Sequence, residues 1–113
     1  MAYHLLTQKE MAPVVQRILK DRGPLAVAEL EREVVRARLK GSWLRGTYFY
    51  QRVERMAKSK LITRIKHKGR VWYINTDHIH PDVARDMPPR VLFDYLQDRG
   101  VPVESLRPLK LDQ

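Results

Sequence analysis

Apolar residues first recur at helical spacing near the start of the chain. Met11, Val14, Val15, Ile18 and Leu19 lie three or four apart and predict a first helix. Thr7 and Glu10 have the spacing of a capping box at its start. Pro13 falls too deep for a helix that begins at Gln8, which predicts a kinked or separate first turn. Gly23-Pro24 is a stop signal. Leu25-Ala26-Val27 then reads as a short extended link. From Ala28, the positions Leu30, Val34, Val35 and Leu39 predict a second amphipathic helix, broken at Lys40-Gly41-Ser42. Thr47 suits the N-cap of a third helix running to about Ser59. At 100° per residue, Phe49, Val53, Met56 and Ala57 share its inner face. Thr47, Tyr48, Gln51, Glu54, Arg55 and Lys58 point outward, Arg52 sits at the border and Tyr50 lies nearer the core.

The pattern then changes from helical spacing to β-branched and aromatic runs. Leu61–Lys66 and Arg70–Asn75 flank His67-Lys68-Gly69 and predict a β-hairpin. Trp72 and Ile74 share one strand face, expected to seal the hairpin onto the helices. Residues 77–82 read as a loop, with one helical turn over Pro81–Arg85. Pro88-Pro89 opens a further helix with Val91, Leu92, Tyr95 and Leu96 on one face, ended by Gly100. Val103, Leu106, Leu109 and Leu111 suggest that the tail packs on something. The predicted class is α+β and mostly helical: three helices, a hairpin and a C-terminal helix. The expected organisation is a domain over residues 1–76 and a C-terminal extension over 77–113.

Composition narrows the function. A chain of 113 residues suits one domain with a real core. It has no cysteine, which excludes disulfides, Cys-type zinc sites and a thiol nucleophile. The longest apolar run is four residues against the ~20 of a membrane span, so an intracellular protein without a membrane partner is expected. The net charge of +9 predicts a polyanionic partner. That charge is concentrated. Residues 1–35 are balanced, five basic against five acidic, and residues 71–113 carry five against seven. Residues 36–70 carry twelve basic side chains against Glu54 alone. Such a block points to an anion-binding surface.

The order of elements and the segment Arg52-Val53-Glu54-Arg55-Met56-Ala57-Lys58-Ser59-Lys60-Leu61-Ile62, followed by a basic hairpin, resemble the winged helix-turn-helix superfamily. Val53 and Met56 take the two apolar places of the pattern that ends the third helix in that superfamily, and Lys60 stands where glycine is usual. Gly23-Pro24-Leu25-Ala26-Val27-Ala28-Glu29-Leu30 is similar to the lead-in of its second helix. The likeness covers about residues 7–75. One departure is the separation of Leu30 from Phe49, longer than the compact turn usual between the second and third helices.

The resemblance implies that the third helix enters the major groove of double-stranded DNA and the hairpin touches a flanking backbone or minor groove. By position, Thr47, Tyr48, Gln51, Arg52 and Arg55 form the reading face, with Lys58 beside them. Arg pairs with guanine and Gln with adenine in that groove. Arg64, Lys66, Lys68 and Arg70 meet phosphate from the hairpin, and Lys40, Ser42 and Arg45 hold it from the linker. Glu54 either accepts from cytosine or, the preferred reading, pairs with Lys58. Six to eight neutralised phosphates give a log–log salt slope of roughly −5 to −7. A transcriptional regulator follows as the leading expectation.

Rival readings rest on other residues. Trp43, Phe49, Trp72 and Tyr73 suggest base stacking, but Phe49 has core spacing. Asp77, His78, His80 and Asp82 suggest a metal, but no convincing further ligand is spaced with them. Tyr48 and Tyr50 are candidate nucleophiles for a replication initiator or nicking enzyme. A protein- or RNA-docking module is a further alternative. No enzymatic activity, metal or cofactor is expected. The apolar stripe of the last helix predicts either packing on helix 1 or a homodimer through residues 89–111, which would read paired half-sites.

Overall fold

The computed structural model describes residues 8–37, 47–67 and 69–103, with the side chains of Gln8, Thr47, Tyr48, Pro89 and Arg90 left aside. The expected cap Thr7, the break at Lys40-Gly41-Ser42 and the tail leucines 106, 109 and 111 lie outside these residues. The order is α1 (Gln8–Arg22), α2 (Val27–Arg36), α3 (Thr47–Lys58), β1 (Ile62–His67), β2 (Arg70–Asn75), α4 (Pro81–Arg85) and α5 (Pro89–Asp98). The chain is α+β, as its pattern predicts. Among the described residues no helix is long and apolar enough to cross a membrane.

α1 runs unbroken through Pro13, against the expected separate turn. Pro13 is exposed, so its ring meets solvent rather than a packed neighbour. The helix ends where Gly23, at φ +78°, donates its N–H to the Leu19 carbonyl at 2.9 Å. α2 begins one residue earlier than expected, at Val27. Ala26 has no side chain to cap it, and the Glu29 carboxylate accepts from the Ala26 N–H instead, at 3.4 Å.

The hairpin pairs Ile62 with Asn75, Arg64 with Tyr73 and His67 with Arg70 in an antiparallel ladder. Gly69 closes its turn at φ +79°. The extended link before α2 is more than a link. Leu25 and Tyr73 exchange both backbone hydrogen bonds, at 2.9 and 3.0 Å, so a one-residue bridge ties the link to the outer edge of β2.

This small sheet is a wall between two cores. On one side Tyr73 and Ile62 pack with Met11, Val15, Leu19, Leu30, Val34, Phe49, Val53 and Met56 from the three helices. On the other, Ile65, Trp72 and Ile74 pack with Ile79, Ala84, Leu92, Leu96, Val101 and Val103. Trp72 and Ile74 therefore do not seal the hairpin onto α1–α3. They bury against the C-terminal segment. Strand alternation requires the split, because Tyr73 points opposite to its neighbours Trp72 and Ile74.

The same arrangement gives the C-terminal stripe a partner within the chain. Leu92 and Leu96 are 2% and 0% exposed, in the cluster of the hairpin residues Ile65, Trp72 and Ile74 rather than in that of α1. Val91 stays half exposed. Polar groups tie the segment down. Thr63 Oγ1 donates to the Ile79 carbonyl at 2.6 Å, and Asn75 links the Gln16 carbonyl at 2.6 Å to the Asp77 N–H at 2.7 Å.

Candidate nucleic-acid interface

α3 buries Phe49, Val53 and Met56, and that choice fixes what it shows outside. Gln51, Arg55 and Lys58 are exposed and Arg52 is half-buried, as helical spacing predicts. Tyr50 is a correction. It is 40% exposed rather than turned toward the core. Phe49 and Val53 fill the inner face, leaving Tyr50 beside Arg64 and Tyr73, close enough to interact electrostatically. Thr47 and Tyr48 belong to the first turn of α3, and only their backbone is described. Lys40, Ser42, Arg45 and Lys68 lie outside the described residues.

The hairpin cations divide between two faces. Arg64 and Lys66 are exposed on the face that also carries Tyr73 and Ile62, and Arg64 reaches α3 there. Arg70 pairs with His67 on the opposite face, where its guanidinium lies 5.0 Å from the centre of the Trp72 ring. α3 thus shows Gln51, Arg52, Arg55 and Lys58, Arg64 joins them through Glu54, and Lys66 lies on the Arg64 face of the hairpin. Arg70 stands apart from them. Among the described residues Arg52, Arg55, Lys58 and Lys66 have no carboxylate partner.

Glu54 corrects the sequence reading twice. It neither pairs with Lys58 nor faces outward to a base. Its Oε2 accepts from Arg64 Nε at 3.0 Å and from the Tyr73 hydroxyl. Arg64 is therefore engaged inside the molecule rather than presented alone. Burial pulls its guanidinium pKa down, but the charge and hydrogen bond of Glu54 more than restore it, leaving the value above the ordinary one. Burial, then the same carboxylate, pushes the Tyr73 phenol far up, so its hydroxyl remains a donor. Helical periodicity could not show this link, because Arg64 reaches Glu54 from another element. One signal was present: the hairpin register sets Arg64 opposite Tyr73 on one face.

The rival sites fare differently. Phe49, Trp72 and Tyr73 are at most 5% exposed and offer no free ring face for a base. Trp43 lies outside the described residues. Among the described residues no group of three or more His, Asp or Glu is placed to hold a metal ion. His80 caps α4 instead, its Nδ1 accepting from the Asp82 N–H at 3.1 Å. No protein-family model, curated protein or solved structure matches the chain.

Proposed function

We propose that the chain is a sequence-specific double-stranded DNA-binding protein, a transcriptional regulator of winged helix-turn-helix type. In this reading α3 lies in the major groove and the hairpin rests on the flanking backbone. The observation that carries it is the run of Arg52, Arg55, Lys58 and Lys66 across adjoining faces of α3 and β1, without carboxylate partners among the described residues. Like charges gathered on one face repel one another, and a polyanion relieves that repulsion. A duplex also suits the shape. An exposed helix face fits the major groove, where Gln51 and Arg55 carry the side chains that read adenine and guanine. In this reading the two-stranded hairpin beside the three helices meets phosphate.

Fluorescence anisotropy with labelled duplex DNA over a salt series tests the reading. Binding at 50 mM salt should weaken with a log–log slope of roughly −5 to −7. Reversing charge with Arg55→Glu and Lys66→Glu should cut affinity at least about tenfold each while leaving the melting temperature within a few degrees. No binding at 50 mM salt, or full binding by both variants, overturns it.

A further inference from the structure

Glu54 is the one acidic residue between Arg36 and Arg70, and it stands on the helix that otherwise shows cations. A carboxylate there would repel phosphate if it faced outward. It faces the hairpin instead, and one oxygen, Oε2, holds two donors from two strands. Both donors are themselves placed. The Tyr73 ring is fully buried, and its backbone is bonded to Leu25 on one side and lies opposite Arg64 on the other. The pair therefore fastens α3 to both strands of the hairpin. It also neutralises one cation of the basic face.

We propose that Glu54 is a positioning and specificity residue of the duplex interface: it fixes the spacing between α3 and the hairpin and withholds the Arg64 charge from phosphate. The proposal rests on the DNA-binding reading above. A duplex presents groove and backbone at a set separation, so an interface whose two parts are already locked loses less freedom on binding. Binding to random sequence comes almost entirely from phosphate neutralisation. An Arg held by Glu54 adds little to it, whereas base contacts from α3 are unaffected. Glu54 thereby widens the gap between specific and random binding.

The test compares the wild-type chain, Glu54→Gln, Arg64→Gln and the double variant. Each is titrated over salt against random duplex and against a duplex selected by the wild type from random sequences. Glu54→Gln keeps an oxygen for both donors but removes the charge. It should steepen the random-duplex slope by about 0.9, the contribution of one phosphate. It should also tighten random binding several-fold and lower the ratio of selected to random affinity. The double variant, which lacks both the carboxylate and the cation it held, should return to the wild-type slope. An unchanged slope in Glu54→Gln, or a double variant that keeps the steeper slope, overturns the proposal.

A readout without DNA separates this inference from the one beneath it. The Arg64 Nε–H should give a protected cross-peak in a ¹⁵N–¹H spectrum, lost in Glu54→Ala. Absence of duplex binding with the cross-peak present removes the DNA reading and the specificity role with it. Duplex binding with the cross-peak absent removes the Glu54 proposal alone.

Discussion

Two helices end in the same way, and only one of them ends on glycine. At the close of α5, Gly100 N–H donates to the Gln97 carbonyl and Val101 N–H to that of Leu96, with Gly100 at φ +78°. At the close of α3, Lys60 N–H donates to Ala57 and Leu61 N–H to Met56, with Lys60 at φ +61°. A side chain in that left-handed conformation costs about 1–2 kcal/mol. Lys60→Gly should therefore raise unfolding stability by about 0.5–1 kcal/mol in urea, and Lys60→Val should lower it by about 1–2 kcal/mol. The melts belong in 0.5 M salt, because Lys60 also pairs with exposed Asp82 at 3.0 Å and holds that carboxyl below its ordinary pKa. A loss of stability in Lys60→Gly would refute the strain assigned to this residue. Gly23 is the converse case. An added Cβ would meet the Pro102 carbonyl oxygen at 2.3 Å, in a backbone at φ +78°. Gly23→Ala should cost at least about 2 kcal/mol, and a change under about 0.5 kcal/mol would show that the neighbouring backbone gives way.

At the scale of elements, the segment after β2 carries a half-buried imidazole, His78. Burial lowers the His78 pKa from 6.5, Asp77 opposes that, and Lys20 and Arg99 reinforce it. The unfolded chain then binds this proton more readily than the folded one. Stability should be full above about pH 6.5 and fall as pH drops below it, while most carboxylates remain ionised. Urea midpoints at pH 7.5, 6.5 and 5.5 measure the fall, and His78→Gln should flatten it. An equal fall in that variant would place the titration elsewhere. α5 makes a second case. Leu96 is fully buried against the hairpin's second face, so Leu96→Ala should cost about 2–5 kcal/mol. A cost under about 1 kcal/mol would mean that α5 does not pack there. Periodicity and turn residues made the helices and hairpin legible, since Val53, Met56 and the 70–75 run each allow one element type. They did not show the Leu25 bridge, because one bridged residue leaves no period. Nor did they assign Leu92 and Leu96 a partner, because an apolar stripe shows that something is covered but not by what.

At the scale of the molecule, the hairpin belongs to both cores, with Tyr73 in one and Trp72 in the other. Neither core keeps its wall without the other. Unfolding should therefore be a single transition, with far-UV circular dichroism and Trp fluorescence coinciding. Two separated midpoints would show that the cores melt independently. The candidate site was only half legible for a related reason. Charge along the chain marked out Arg52, Arg55, Lys58 and Lys66, because uncompensated cations in one stretch need no tertiary knowledge. The capture of Arg64 by Glu54 depends on how a helix crosses a strand, which spacing does not encode. One contact has a consequence in time. The turn after α1 closes against the Pro102 carbonyl, so α1 leaves the ribosome well before the segment its turn rests on. Until that segment emerges, the nascent chain has Trp72, Ile74 and the end of α1 uncovered, and a pause before it would hold the chain in the state most open to chaperones and proteases.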